Sequence, residues 1–395
     1  MRDAEIIARI RLLRTRNIGP MTYSLLLDRY GNAVKALAAV PDLASRGGRK
    51  LTVASAAIAK AEIAANAAIG ATMLWRGSDH YPDRLAQFSD APAVMSAIGN
   101  LHLLQKPMIA IVGARNASIN AMHFAETLAA DLGRAGFVIV SGMARGIDSA
   151  AHRRAMVSGT IGVLAGGAEI IYPPENRDLF ARIKTDGLLL AEMPPGTAPT
   201  PRHFPTRNRI IASLPTCVIV IEAAARSGSL ITAREAADRG TDVMAVPGAP
   251  LDPRAIGCNR LIRDGAILVT TAEDVIEHVN RDTSVRLPPP IIRWHESAAT
   301  PATEADIDRC RTMILDGLSG EPTDIDRVIT WCDLPVPAVM AAVLELELAG
   351  IVQRHFGNRV SRCMTGLQTH FAEEILTNRI FVFIASPPRD SRDKL

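Results

Sequence analysis

Seven short apolar runs recur between residues 108 and 269, and segments with helical patterns lie between most of them. The runs are Met108 to Val112, Phe137 to Val140, Ile161 to Leu164, Leu188 to Leu190, Cys217 to Ile221, Val243 to Val246 and Ile267 to Val269. Strands that are apolar throughout are typical of parallel sheets, which helices cover on both faces. The pattern therefore predicts an α/β fold with a parallel sheet at its core.

The loops that follow these strands are rich in small residues. In a parallel sheet, the loops at the carboxyl ends of the strands form the binding crevice. Uncovered backbone N–H groups at the start of a helix can bind phosphate or carboxylate groups. Several such loops on one edge of the sheet therefore predict an anion-binding crevice, formed by residues 113–118, 141–148, 165–167, 222–229 and 247–248.

The first loop, GARNAS, combines a glycine, an arginine and a helix-capping residue. Gly113 allows a tight turn after the strand, and Ser118 is placed to cap the next helix. Arg115 keeps its positive charge at any relevant pH, which suits a phosphodiester. The alternative is an ion pair between Arg115 and a carboxylate such as Asp148 or Glu222. Anion binding is favoured, because an ion pair does not require the adjacent glycine.

The second loop follows the strand in FVIVSGMARGIDSAAH, and its candidate phosphate-binding residues are Ser141, Gly142, Arg145 and Gly146. Asp148 and His152 lie four positions apart on the next helix, as an acid–base pair of a hydrolase would. Such pairs are more often a capping aspartate and a hydrogen-bonded core histidine. No serine or cysteine has the local signature of a nucleophile. We therefore predict no catalytic residue, and expect Asp148 and His152 to support the loop.

A long connector, residues 193–206, leads into RNRIIA and crowds cations around one aromatic ring. The residues concerned are Arg202, His203, Phe204, Arg207 and Arg209. Arginines around an aromatic ring are typical of sites that grip single-stranded nucleic acid through its backbone charge and its bases. The alternative is that Phe204 fills the core and that Arg207 and Arg209 point in different directions on a helix. Asn208 is expected to cap the helix or to bond across loops.

The loop after the fifth strand, EAAARSGS, places three small residues at the start of a helix: Ser227, Gly228 and Ser229. Hydroxyl groups and a glycine at this position indicate a further phosphate contact. Glu222 would repel a phosphate. We therefore expect the carboxylate of Glu222 to orient Arg115, Arg145 or Arg226.

Residues 1–75 precede the predicted sheet domain, 80–280, and have a helical pattern. Between the first two helices stands Asn17-Ile18-Gly19-Pro20. Such a turn is typical either of a helix-hairpin-helix module that approaches DNA or of an ordinary helix–helix connection with proline at the first helical position. Prolines and turns at 81–99 predict a connector laid along the sheet domain.

The region after the sheet contains a linker and a second small unit. Three consecutive prolines, at 288 to 290, mark 281–302 as the linker. Three helical segments and a hairpin within 303–363 predict a winged helix. The last stretch, 364–395, is expected to be a peripheral tail.

Bulk composition narrows the class of protein. The formal net charge of +3 is mildly basic and does not by itself indicate a nucleic-acid partner. The five cysteines are scattered without the spacing of metal ligands, so we predict no metal site and no cofactor. The N-terminus lacks the apolar core of a signal peptide, and no apolar run is long enough to span a bilayer. These features predict a cytoplasmic protein without a membrane partner.

Taken together, these motifs resemble those of the DprA/Smf family of bacterial DNA-processing proteins. The flanking helical and winged-helix units also match the three-part layout of that family. The matching stretches occur in order along the sheet domain: IVGARNAS (111–118), VSGMARGIDSAAH (140–152), GGAEIIYPPEN (166–176), FPTRNRIIA (204–212), IEAAARSGSLITAREAADRG (221–240), VPG (246–248) and GCNRLIRDGA (257–266).

The resemblance implies an extended Rossmann-like sheet with a small N-terminal helical domain and a C-terminal winged helix. It implies a protein that binds single-stranded DNA, forms a homodimer and helps to load the RecA recombinase during natural transformation. In this chain it implies DNA contacts by Arg115, by the loop 141–146 and by Phe204, Arg207 and Arg209. The winged helix would either touch duplex DNA or only help to hold the assembly together.

A nucleotide-handling enzyme is the competing hypothesis, because a similar sheet with glycine-rich loops serves phosphoribohydrolases that resemble lysine decarboxylases. Those enzymes carry the signature P-G-G-x-G-T-x-x-E. The nearest stretch here, 225–229, lacks the double glycine and the glutamate. A dinucleotide-dependent dehydrogenase is excluded, because the chain has no G-x-G-x-x-G turn.

Overall fold

The computed structural model describes residues 3–285, 302–355 and 357–363. Within them, nine strands form one large sheet, and seven of these coincide with the predicted apolar runs. In chain order the strands are β1 (Thr72–Trp75), β2 (Val94–Gly99), β3 (Met108–Gly113), β4 (Val138–Ser141), β5 (Thr160–Leu164), β6 (Leu188–Ala191), β7 (Cys217–Ile221), β8 (Asp242–Ala245) and β9 (Ile267–Leu268).

The strand order across the sheet is β1-β2-β6-β5-β4-β3-β7-β8-β9. All pairs from β6 to β9 are parallel, as predicted. The chain builds outward from β3 in one direction through β4, β5 and β6, and then returns to place β7 on the other side of β3. This reversal of strand order is the position at which parallel α/β sheets open a crevice for ligands.

Two strands of the sheet, β1 and β2, were not predicted from the sequence. The stretch 81–99, predicted as a connector, contains β2, which pairs antiparallel with both β1 and β6. β1 lies within the stretch 1–75, which was predicted to be helical. β2 has the sequence VMSAIG, in which Ser96 and Ala97 interrupt the apolar run, and the buried Ser96 donates a hydrogen bond to Asn66 at 2.6 Å. A buried polar side chain that is satisfied from outside the strand hides the apolar signal.

Helices cover both faces of the sheet. Each face of the sheet therefore has its own hydrophobic core. In strand β3, Ala110 and Val112 pack into the core on one face, and Ile109 and Ile111 pack into the core on the other. All four side chains are almost fully buried. The covering helices are α6 (Ile119–Arg134), α7 (Ile147–Ala155), α8 (Arg177–Asp186), α9 (His203–Ser213), α10 (Ser229–Asp238), α11 (Ile256–Arg263) and α12 (Ala272–Val285).

Helices also form the start of the chain. They are α1 (Asp3–Arg14), α2 (Pro20–Tyr30), α3 (Ala33–Arg46), α4 (Ala56–Ala68) and the short α5 (Asp83–Ala86). Gly19 precedes α2 and Pro20 is its first residue, so the turn has the predicted geometry. The described residues divide into two compact units, of which the first comprises 3–37 and 53–285 and the second 38–52, 302–355 and 357–363.

The second unit contains the predicted winged helix. Its elements are α13 (Glu304–Gly317), β10 (Thr323–Asp324), α14 (Ile325–Cys332), α15 (Val336–Leu348), β11 (Val352–His355) and β12 (Arg359–Arg362), with the antiparallel order β10-β12-β11. The three helices and the hairpin were predicted, whereas the two-residue β10 was not.

The linker and tail predictions are only partly within the described residues. The predicted linker 281–302 overlaps the end of α12, so its first five residues are helical. Residues 286–301 and the predicted tail 364–395 lie outside the described residues. In the part of the chain that is described, no single helix is long and apolar enough to cross a membrane. One pair, α14 and α15, meets that criterion together, and the two helices are bent by 118° from each other.

Candidate nucleic-acid interface

A groove opens where the strand order reverses, between the loops that follow β3 and β7. It has a volume of about 840 Å³ and continues into a smaller cavity of about 220 Å³ under the loop that follows β4. The groove and the cavity share five lining residues: Arg115, Ala144, Tyr172, Phe204 and Arg207. The sequence-based prediction of a crevice at this edge of the sheet therefore corresponds to an open, continuous depression.

Glycines allow the loops around the groove to approach one another. A Cβ atom on Gly113 would lie 1.9 Å from the carbonyl oxygen of Ile221 at the end of β7. Gly146 has a φ of +74°, and a Cβ atom there would lie 2.2 Å from the carbonyl oxygen of Ala114. Larger residues would push these loops apart. Ser118 accepts a hydrogen bond from the amide of Ala121 at 3.1 Å, so it caps α6 as predicted.

The amides of the loop after β4 are already bound by a carboxylate. Asp148 accepts hydrogen bonds from the amides of Gly142 and Ala144 at 3.1 and 3.2 Å. Burial raises the pKa of Asp148, against the nearby charge of Arg207, which lowers it. Ser141 is fully buried and donates its hydroxyl to the carbonyl of Ile111 at 2.6 Å. The hydroxyl of Ser141 and the amide of Gly142, both predicted to meet a phosphate, are thus engaged within the protein.

Asp148 and His152 form hydrogen bonds that hold the loop after β4 and the adjoining strand, in agreement with the expectation that they support the loop. The Nδ1 atom of His152 lies 2.7 Å from the hydroxyl of Thr160, inside the protein. Burial, together with the nearby charge of Arg207, lowers the pKa of His152 to about 3. The imidazole is therefore neutral at physiological pH. A buried neutral histidine facing a strand is not placed to exchange protons with a substrate in the groove.

Two guanidinium groups lie close to the ring of Phe204, at the junction of the groove and the cavity. The guanidinium carbon of Arg115 lies 5.4 Å from the centre of the ring, and that of Arg207 lies 5.9 Å from it. Tyr172 packs on the same ring, with centroids 5.6 Å apart and planes inclined by 56°. The tyrosine is 44% exposed. Cations and aromatic faces are thus combined at one place, as the connector sequence predicted for Phe204.

Arg115 is exposed and turned toward Phe204, whereas Arg207 is buried. Arg115 pairs with neither Asp148 nor Glu222, so the alternative interpretation of this arginine is wrong. Arg207 donates hydrogen bonds to the carbonyls of Gly142 and Val163. Burial lowers the pKa of Arg207 to about 10, which leaves it charged at neutral pH. Arg207 therefore fixes the wall of the cavity, and the interpretation of it as a direct phosphate contact is not supported.

Arg209 lies away from the groove. Its guanidinium donates to the carbonyl of Asp90 at 2.6 Å and pairs with Glu192. Arg207 and Arg209 therefore do point in different directions on α9, as the alternative interpretation held. Arg209, predicted to contact DNA, lines neither the groove nor the cavity. Arg202 is exposed just before α9 but does not line the groove or the cavity. Asn208 lines the groove and accepts a hydrogen bond from Nε of Arg207 at 3.1 Å.

Arg145 lies at the rim of the cavity. It forms an ion pair of 3.3 Å with Glu175, and both side chains are more than half exposed. On the opposite side, the groove is lined by Ser227, Gly228 and Ser229, as predicted. The hydroxyls of the two serines are 2.8 Å apart at the start of α10.

Glu222 orients none of the three arginines that were predicted for it. Its φ is +54°, and its carboxylate accepts a hydrogen bond from the amide of Ser118 at 2.7 Å. Its other oxygen lies 3.9 Å from Nε of Arg254. Arg254 lines the groove and is held by two hydrogen bonds to Asp252, of 3.1 and 2.9 Å. Glu222 therefore ties the loop after β7 to the loop after β3.

Three residues that line the groove, Tyr172, Arg226 and Arg254, were not among the DNA contacts predicted from the sequence. Tyr172 carried a signal, because an aromatic residue in a polar loop is unusual in a chain with 4% aromatic residues. Arg254 carried none, since it stands several residues after Pro247-Gly248, between a proline and an alanine. The arginines that line the groove outnumber its carboxylates, since Asp148 is the only acidic residue among those lining residues.

Within the described residues, no group of three or more histidines, cysteines or carboxylates is arranged to hold a metal ion. The groove instead offers guanidinium groups, hydroxyls and aromatic faces. This chemistry suits a polyanion that also carries planar rings.

Three family models match successive parts of the chain. The DprA-like N-terminal HHH domain matches residues 3–65, DNA recombination-mediator protein A matches residues 72–280, and the DprA winged helix domain matches residues 298–358. The chain is 46% identical over 200 residues to DNA processing protein DprA of Streptococcus pneumoniae, covering 50% of this chain and 71% of that protein. It is 37% identical over 280 residues to protein Smf of Escherichia coli, covering 69% and 72%.

Two solved structures of proteins from the same family resemble this chain. The structure of DNA processing protein A from Streptococcus pneumoniae superposes with a TM-score of 0.58 at 36% identity, covering 69% of this chain and 97% of that one. A structure of DNA processing protein A from Helicobacter pylori, studied for its single-stranded DNA binding mode, gives a TM-score of 0.50 at 28% identity, covering 54% and 96%. The family resemblance and the three-part fold are thereby confirmed, and the chain belongs to the DprA/Smf family of DNA recombination-mediator proteins.

Proposed function

We propose that this chain is a mediator of DNA recombination that binds single-stranded DNA in the groove between β3 and β7. The observation that carries the proposal is the exposed Arg115, whose guanidinium lies over the ring of Phe204 where the groove and the cavity meet. Tyr172 packs on the same ring. Single-stranded DNA offers both a charged backbone and unpaired bases to such a site. The Helicobacter pylori relative, which was studied for its single-stranded DNA binding mode, supports the same ligand.

The DNA-contacting residues that we propose differ from those of the sequence-based prediction. Arg115, Arg226, Arg254 and the segment 227–229 meet phosphates, and Arg145 meets them once it leaves Glu175. Phe204 and Tyr172 stack on bases. Arg207 holds the wall of the cavity, and its buried charge adds to the positive potential of the groove.

Family membership also supports more specific roles. We propose that the protein acts as a homodimer in the cytoplasm, that it delivers DNA to RecA, and that it does so without catalysing a reaction on the DNA. In a naturally transformable organism, this activity would serve incoming DNA. RecA loading is measured as the rate of strand exchange on single-stranded DNA precoated with single-strand-binding protein, with and without the purified chain.

Titration of a labelled oligonucleotide at several salt concentrations tests the binding site. Affinity should fall steeply with salt, by roughly 50-fold between about 50 and 200 mM, because about four neutralised phosphates release counterions. Arg115→Ala should raise the Kd about fivefold or more for every sequence and make the salt dependence shallower. The matched control is Arg153→Ala, because Arg153 is half-exposed on α7 and pairs with Glu126 at 3.6 Å. Equal losses in the two variants would contradict the proposed site.

A further inference from the structure

The winged helix of this chain has an unusual charge. Residues 303–363 contain six arginines, no lysine and ten carboxylates, which gives a formal net charge of −4. The third helix, α15, is the element that enters the major groove in helix-turn-helix proteins. From Val336 to Gly350 it carries no lysine or arginine, and its two charged residues are Glu345 and Glu347. Such a helix offers no cation to the phosphates of duplex DNA.

The side chains of α15 are buried on more than one face. Val339, Ala342, Val343 and Leu346 belong to the core of the winged helix. Leu344, Leu348 and Ala349 are at most 4% exposed but lie outside that core. Something other than the winged-helix core therefore covers the second face of α15.

Part of this cover is the turn that ends α3. A Cβ atom on Gly47 would lie 2.1 Å from the carbonyl oxygen of Glu345 and 2.9 Å from the Cβ of Ala349. The backbone of the turn thus lies directly on the end of α15. Gly47 is not in a left-handed conformation, so close approach is the only requirement for glycine here. Val40, Leu43 and Ala44 are buried on the same side of α3, at helical spacing from Gly47.

Ion pairs surround this contact. Arg46 pairs with Glu304 at 2.6 Å, at the start of α13. Arg311 pairs with the buried Glu345 at 2.9 Å and also donates to the carbonyl of Arg46. The segment 38–52 carries Arg46, Arg49 and Lys50 against a single carboxylate, so its formal net charge is +2. A basic segment therefore rests on an acidic domain, at the helix that would otherwise face DNA.

We propose that the winged helix is a protein-docking module whose third helix holds the basic turn 46–49 of this same chain, and that α15 does not read duplex DNA. The winged helix then fixes the end of α3, which belongs to the same compact unit. It does not provide a second DNA-reading surface. Single-stranded DNA binding in the groove is a separate matter and does not depend on this contact.

Hydrogen exchange of the full chain, followed by mass spectrometry, tests the docking. Gly47→Ala places a methyl group against the backbone of α15, so exchange should become roughly tenfold faster in peptides from 43–52 and from α15. Gly19→Ala is the matched control, because nothing lies within 4 Å of a Cβ atom at that position. Unchanged exchange of the strands β3–β7 would show that the fold is retained. Equal exchange of the two segments in both variants would overturn the proposal.

Adding nucleic acid to the same experiment tests the second half of the proposal. A blunt duplex of about two helical turns should leave the exchange of α15 and of the β11–β12 hairpin unchanged in the native chain. Protection of α15 by the duplex would overturn it. An oligonucleotide of the same sequence in single-stranded form should slow exchange in residues 113–118 and 142–146, and failure of that arm alone would count against the proposed function and not against the docking.

Discussion

Arg115 and Arg207 face the same aromatic ring, yet their surroundings give them different tasks. Arg115 is exposed, so it can exchange water for a phosphate at little cost. Arg207 is buried and uses its donors on the carbonyls of Gly142 and Val163. Replacing Arg207 would leave two buried acceptors unsatisfied and would reshape the cavity. Loss of binding in an Arg207 variant would therefore not identify a phosphate contact, whereas loss in an Arg115 variant would.

His152 makes the stability of the fold depend on pH. Burial lowers the pKa of His152 to about 3, while the same group has its ordinary value near 6.5 in the unfolded chain. Below pH 6.5 the unfolded chain binds a proton that the folded chain excludes, so stability falls as the pH falls. His152 should remove roughly 1.5 kcal/mol between about pH 6.5 and pH 5. His152→Gln, measured by urea unfolding over this range, should flatten the slope, and an unaltered slope would contradict the assignment.

At the scale of elements, the rotation of α9 separates residues that the sequence places together. Residues two positions apart on a helix point about 200° apart, so Arg207 and Arg209 cannot share a ligand. The sequence shows the spacing but not which face is buried. Burial of Ile210 and Ile211 sets the orientation of α9, turning Arg207 toward the loop after β4 and Arg209 toward Asp90. Only the packing of the helix could decide between the two interpretations of this segment.

The strands differ in how far the sequence could predict them. β3 to β9 were predicted because their runs are apolar on both faces, as a covered parallel sheet requires. β2 was missed because Ser96 interrupts its apolar run and is satisfied by Asn66 from α4. In the groove, glycines and arginines in strand-end loops were found from their pattern. Arg254 was missed because its position depends on contacts with Asp252 and Glu222. No glycine-rich or hydroxyl-rich pattern in the sequence marks these contacts.

Gly113 is the point at which the loops after β3 and β7 nearly touch. A Cβ atom there would lie 1.9 Å from the carbonyl of Ile221 and 2.6 Å from Cγ1 of Ile147. Gly113→Ala should therefore lower the free energy of unfolding by about 1–3 kcal/mol, because two backbone segments and a core side chain must move. Gly228→Ala is the control in urea unfolding, because nothing lies within 4 Å of its Cβ position. A loss of similar size in both variants would show that the close approach is not the cause.

At the scale of the whole molecule, charge is divided unevenly between the parts of the chain. The formal net charge of +3 conceals a winged helix at −4 and a remainder at +7, with 38 basic against 31 acidic residues outside 303–363. The net charge of the whole chain alone does not indicate that it binds DNA. The partition instead favours an anionic ligand on the part that contains the groove and a cationic partner on the winged helix.

This division predicts how single-stranded DNA affects thermal unfolding. A ligand stabilises only the unit that binds it, by about 2.7 kcal/mol at a concentration of roughly a hundred times its Kd. In scanning calorimetry, the transition of the unit that contains the large sheet should therefore rise by roughly 5–10 °C, while that of the second unit stays constant. Ile314→Ala identifies the second transition, because Ile314 is fully buried in the winged-helix core and its truncation lowers that transition alone. A parallel rise of both transitions on adding DNA would mean that the winged helix takes part in binding, contrary to its charge.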